Sequence, residues 1–168
     1  MVSSIIASTI PAWNSREREK ESAMIIRIKN NQKKQKLAAT KLKAQLTKLL
    51  ESLNLPEAEL SVLFVGDRAM RTLNRQYRGK DRTTDVLSFS LREGRFKGVQ
   101  PDMLGDIVIA VPVARQQALD AGLTLQQELE RLLVHGLLHL LGYDHERSAT
   151  DARNMRIKEQ NLLRKLRT

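Results

Sequence analysis

Leu132-Leu-Val-His135-Gly-Leu-Leu-His139-Leu-Leu-Gly142-Tyr-Asp-His145-Glu146 is the stretch on which the reading of this 168-residue chain turns. Thr124 and Gln127, upstream of it, form a capping-box signature, so the longest apolar helix is expected to open there and to run to about Leu141. Gly142 follows His139 by three residues, where a helix can stop by entering the left-handed region that glycine reaches at little cost. All three histidines of the protein lie in this one stretch. Positions i and i+4 stand one above the other on a helix, so His135 and His139 offer two imidazoles to one point. A chain that turns at Gly142 can return His145 to the same place.

A single histidine on an apolar helix is ordinarily a hydrogen-bonded core residue. Three at this spacing, among leucines that disfavour polar rings, read instead as a ligand set. Three neutral nitrogens leave a fourth position open, the catalytic rather than the structural arrangement. Nitrogen donors favour zinc, one ion per chain, although nickel, copper or iron would also fit. The pattern H-x-x-x-H-x-x-G-x-x-H is shared with the metzincin proteases, in which a glutamate after the first histidine is the general base. Here that position is Gly136, which makes peptide hydrolysis the lesser reading.

Upstream, Pro112 and Gly122 bracket a shorter helix, and downstream Ser148 with Asp151 opens a last one rich in Arg and Lys. Asp106–Val111 (DIVIAV) is the most apolar strand, and Gly105-Asp106 at its opening is a buried-edge feature as readily as a functional one. Val86–Leu91 alternates as a strand, and a loop rich in Gly and charge follows over Arg92–Asp102. Leu60–Val65 reads as a buried strand, after which Asp67 is expected to cap a short helix through Met70, Leu73 and Tyr77. Ile25, Ile26 and Ile28 suggest an opening strand. Residues 36–53 place leucines at helical spacing with Lys36, Lys41, Lys43 and Lys48 between them, and Pro56 is expected to end that helix. The fold class that follows is α+β: a small mixed sheet covered by helices, with the zinc site at the end of a central helix.

Residues 23–168 form a single domain on this reading, and residues 1–22 a disordered N-terminal extension. The run Arg16-Glu17-Arg18-Glu19-Lys20-Glu21 packs nowhere obvious, and the apolar opening is interrupted by Ser3, Ser4, Ser8, Thr9 and Pro11. That makes a poor secretory signal, leaves organellar targeting open, and is matched by the alternative that translation starts at Met24. No stretch approaches the roughly 18–20 apolar residues that span a membrane. The chain has no cysteine, which removes disulfides and thiolate sites and fits a reducing cytoplasm.

Net charge is +10, and residues 1–50 carry 11 Lys and Arg against 3 Asp and Glu. A one-sided basic surface attracts polyanions, so RNA, DNA or an anionic membrane is the natural partner. A second constellation, Tyr77-Arg-Gly-Lys80-Asp-Arg82-Thr-Thr-Asp85, puts Arg78, Lys80 and Arg82 on a glycine-containing turn able to hold phosphate. Arg78 is the choice for a bidentate contact. The competing structural reading pairs Asp81 and Asp85 with neighbouring cations.

Tyr77–Phe89 (YRGKDRTTDVLSF), Leu104–Ala110 (LGDIVIA) and Leu132–Glu146, taken in order, resemble the YbeY family of bacterial metal-dependent endoribonucleases over roughly residues 24–165. The resemblance implies single-strand-specific cleavage of RNA, maturation of the small-subunit rRNA 3′ end and ribosome quality control, with the ribosome or its small subunit as partner. It makes His135, His139 and His145 the zinc ligands and Arg78 the basic residue on which activity depends, so that Arg78 and His135 are the candidate catalytic residues. Lys80, Arg82, Lys41, Lys43 and Lys48 are candidate RNA contacts. Thr83 and Ser90 depart from the family, which often has proline at both places. The rival classes are a metalloprotease and an RNA-binding or ribosome-assembly module in which zinc only pins the fold.

Overall fold

The computed structural model describes residues 23–93 and 101–167. The extension expected over residues 1–22 and most of the loop over 94–100 lie outside these residues. Four strands, β1 (Ile25–Asn30), β2 (Glu59–Val65), β3 (Val86–Ser90) and β4 (Met103–Ala110), form one sheet in the order β1-β2-β4-β3. Five helices complete the described chain: α1 (Ala39–Ser52), α2 (Asp67–Arg78), α3 (Val111–Asp120), α4 (Leu125–Leu140) and α5 (Ala149–Arg167). β1, β2 and β4 run parallel and β3 is an antiparallel edge strand. The mixed α+β class read from the sequence is the one observed.

The sheet has two unequal faces. Ile26, Leu60, Val62, Phe64, Ile107 and Ile109 meet Leu42, Leu46, Leu49 and Leu50 of α1, the leucines of α4, and Met155 and Leu162 of α5 in the main core. The opposite face is smaller: Leu63, Val65, Leu87, Val108 and Ala110 are capped by Met70 and Leu73 of α2. Burying an aliphatic side chain of this size contributes about 1.5–3 kcal/mol, so the leucine-rich face carries most of the cohesion.

Two boundaries differ from expectation. α1 ends at Ser52 with Leu53 as its cap, and the residue that turns the chain is not Pro56 but Asn54, which takes φ 59° while the Leu55 N–H bonds the Leu50 carbonyl; asparagine here does what glycine usually does just past a helix C-terminus. Asp67 is not the cap of α2: Gly66 is, with no side-chain cap bond, and Asp67 sits in the first turn, where its charge suits the helix dipole. Elsewhere the signals hold. Thr124 Oγ1 accepts from the Gln127 N–H and the Gln127 side chain returns to the Thr124 N–H, and Ser148 Oγ accepts from the Asp151 N–H at 3.0 Å.

Asp106 lies on the smaller face, opposite Ser61 on β2 and Phe89 on β3. Burial raises its pKa, and a hydrogen bond with Ser61 offsets part of the rise. A carboxyl group titrating higher in the native than in the unfolded state binds more protons when folded, so it adds stability as pH falls through that window and costs stability above it. Asp106→Asn is therefore expected to be more stable than the natural protein at pH 7, with the difference closing as the buffer is taken down toward pH 4. Urea unfolding of both proteins across that range measures it; a constant difference at every pH would disprove the assignment.

Candidate metal centre

The C-terminal half of α4 is buried on nearly every side, and its polar residues keep to one stripe. Leu132, Leu133, Val134, Gly136, Leu137, Leu138 and Leu140 are buried, whereas Arg131, His135 and His139 are only partly buried, at intervals of four. That interval stacks successive side chains along one face of a helix. Gly142, at φ 92°, stops the helix with its N–H on the His139 carbonyl and the Tyr143 N–H on the Leu138 carbonyl, the paired bonding of a Schellman turn. The chain then doubles back and delivers His145.

The three rings form a nearly equilateral triangle, with centroids 4.7, 5.4 and 5.2 Å apart. One nitrogen of each lies within 4.8 Å of the other two, and together they make a group able to hold a metal ion. The donor set passes a simple test of fit. Ligand nitrogens about 2.0–2.1 Å from a tetrahedral ion stand about 3.3 Å apart, and His135 Nε2 and His139 Nε2 are 3.1 Å apart. Burial lowers the pKa of His139, with the neighbouring His135 and His145 next in effect. It is thereby held in the neutral form that ligation requires.

Among the described residues no carboxylate joins the three histidines. Asp144 instead accepts from the Glu146 N–H at 2.8 Å and from Arg147 Nε at 3.1 Å. Gly136 points away from the cluster into the sheet: a Cβ there would lie 3.0 Å from Ile107 Cγ2 and 3.1 Å from Ser88 Oγ. A glutamate in that place would start toward the sheet and crowd Ile107 and Ser88, which weighs against the protease route.

β3 is the strut between this centre and the basic loop. Ser88 Oγ donates to the Gly136 carbonyl and Ser90 Oγ to the Leu140 carbonyl, both at 3.2 Å. Ser90 thus ties the edge strand to α4. On the other face Phe89 packs edge-on against Tyr77, with centroids 5.1 Å apart, which anchors the end of α2 and brings Arg78 to the same strand. Buried Asn74 donates to the Arg82 carbonyl at 2.7 Å and fixes the turn. Asp81 is engaged, as the structural reading anticipated, but by Arg71 Nε and Nη2 at 2.9 Å each, with Arg75 more distant. Asp85 accepts from its own strand and from Gln117.

Arg78, Lys80 and Arg82 are exposed and, among the described residues, pair with no carboxylate. Lys41, Lys43 and Lys48 are exposed on α1, which packs on β1, at the opposite edge of the sheet from β3. The structure therefore groups Arg78, Lys80 and Arg82 with the edge strand that carries the histidine helix, and leaves the α1 lysines apart. The sequence reading missed Glu159, whose Oε1 lies 3.3 Å from His135 Nδ1; nothing in the sequence links residues 24 positions apart on two helices.

Fold and site together define a mixed α+β protein with a three-histidine cluster able to hold a metal and a basic turn leading toward the strand bonded to the histidine helix. A family model described as Endoribonuclease YbeY matches residues 27–167, and the chain belongs to that family. A curated relative named Endoribonuclease YbeY from Syntrophotalea carbinolica is 42% identical over 144 residues, covering 85% of this chain and 96% of the relative. Another of that name, from Geobacter sulfurreducens, is 42% identical over 140 residues, covering 83% and 93%. The solution structure of TM1509 from Thermotoga maritima superposes with a TM-score of 0.60 at 29% identity, covering 84% of this chain and 89% of that one.

Proposed function

We propose that this protein is a zinc-dependent endoribonuclease acting on single-stranded RNA, in 3′-end maturation of the small-subunit rRNA and in ribosome quality control, within the cytoplasm. The observation that carries the reading is the cluster of three histidine nitrogens that no fourth protein ligand closes among the described residues. A structural zinc site is normally closed by four protein ligands, whereas a catalytic one keeps a place for substrate or water. No described helix is long and apolar enough to cross a membrane.

Zinc held there supplies Lewis-acid chemistry, polarising a phosphoryl oxygen and acidifying water. The chain's own residues do the rest. His135, His139 and His145 keep neutral nitrogens converged on one point. Arg78, with no carboxylate to neutralise it, takes up charge that builds on the phosphoryl oxygens as the bond breaks. Lys80 and Arg82 bind flanking phosphates, and Lys41, Lys43 and Lys48 contribute only long-range attraction. Tyr77 and Phe89 are occupied with each other, so base stacking offers little sequence readout.

The test is metal analysis combined with cleavage of matched single-stranded and double-stranded RNAs, before and after chelation. One zinc per chain and cleavage of the single strand alone, abolished by chelator and restored by zinc, is the expected result. Metal-independent cleavage would refute the mechanism. Arg78→Ala is expected to keep its zinc and lose turnover by roughly 10²–10³-fold, the scale of removing one transition-state charge partner. Unaltered rates would remove Arg78 from the chemistry.

A further inference from the structure

We infer that Glu159 is a positioning residue for the metal centre, holding His135 through Nδ1 so that Nε2 is presented to the ion; this rests on reading the histidine cluster as a metal site. Glu159 Oε1 lies 3.3 Å from His135 Nδ1, and both side chains are largely buried, at 19% and 23% exposure. The other ring nitrogen, Nε2, is the one that faces His139 Nε2 at 3.1 Å. An imidazole has one donor and one acceptor nitrogen when neutral. A carboxylate accepting from Nδ1–H therefore leaves the lone pair on Nε2 and fixes the ring's rotation.

The carboxylate is itself held in place. Met155 and Leu162, buried in the main core, flank Glu159 at four residues before and three after on α5, so core packing sets the face that meets α4. Arg131, one turn before His135, lies within electrostatic reach of Glu159 and Asp85. Its guanidinium grips Glu128, whose side chain is 2% exposed, with Nε at 3.0–3.1 Å from both oxygens. That grip fixes the guanidinium within electrostatic reach of Glu159, while Glu128 takes up most of its charge. His139 is braced in a parallel way by a backbone hydrogen bond at Tyr143. The two ligands on α4 are thus each supported from outside the helix.

The test compares Glu159→Ala and Glu159→Gln in two readouts that do not depend on RNA cleavage. Zinc affinity is measured by competition with a chromogenic chelator, and the His135 tautomer by ¹⁵N NMR of the metal-free protein. Glu159→Ala is expected to bind zinc roughly 10- to 100-fold more weakly, the usual effect of losing such a partner, and to let the His135 proton distribute over both nitrogens. Glu159→Gln keeps a carbonyl acceptor for Nδ1–H, so it is expected to hold the tautomer and recover most of the affinity. Wild-type affinity in Glu159→Ala, or a Gln variant no better than the Ala variant, would overturn the role. Failure of the unsubstituted protein to bind zinc would instead overturn the metal centre, while the metal-free tautomer would still report on the Glu159 contact.

Discussion

His139→Ala is expected to lose the bound metal and to cut RNA cleavage by about 10³-fold or more. The figure follows from several kcal/mol of transition-state stabilisation attributed to metal catalysis, at a factor of ten for each ~1.4 kcal/mol. His139 is the ligand with most to lose. Its ring is the one whose pKa is lowered by burial and by both other histidines, and its Nε2 stands 3.1 Å from His135 Nε2. Two remaining imidazoles, one of them exposed, do not make a stable site. The fold should survive, because position 139 lies on the open stripe of α4 and alanine is the best helix former; thermal unfolding of the metal-free variant should stay close to that of the natural protein. Zinc stoichiometry by atomic absorption beside a single-strand cleavage assay checks both parts. A variant that keeps one zinc and normal rates would remove His139 from the site.

The second large effect concerns shape rather than chemistry. Gly105 has φ 132°, and a Cβ built on it would lie 2.0 Å from the Phe89 carbonyl oxygen and 3.2 Å from Leu140 Cδ2. The position is where the pairing of β2 with β4 slips by one residue, Glu59 opposite Met103 and Leu60 opposite Gly105, so the irregularity is built into the register. Gly105→Ala combines a backbone conformation that L-residues avoid with a collision against main chain, which cannot rotate away. A loss of more than about 3 kcal/mol is expected, a large share of the ~5–15 kcal/mol that holds a domain together. The displaced atoms belong to β3 and to the last turn of α4, so whatever folds should also bind zinc less well. Denaturant unfolding of the metal-free protein measures the first effect, and an unchanged midpoint would show that β3 and β4 separate freely.

Local rules placed most elements correctly because their signals are short-range. The Thr124–Gln127 box, Pro112, Gly122 and Gly142 act within a turn or two of themselves, and the structure uses each as read. The errors are of the same range: Asn54 turned the chain out of α1 before Pro56 had the chance, and Gly66 displaced Asp67 as a cap. Each signal competes with neighbours of similar strength, and packing chooses between them.

That three histidine side chains would converge follows from the sequence alone, because a four-residue interval on a helix and a glycine stop act through backbone geometry. The sequence also determined that the chain would bury leucine-rich helices on a small mixed sheet. Only the tertiary structure decides that Gly136 faces Ile107 and Ser88 instead of the histidine cluster, that Tyr77, beside Arg78, is anchored on the strand bonded to the histidine helix, that the α1 lysines stand at the far edge, and that Glu159 lies against His135. Those facts join residues far apart in the chain, and only close packing of whole elements, which no local spacing encodes, brings such residues within reach of one another.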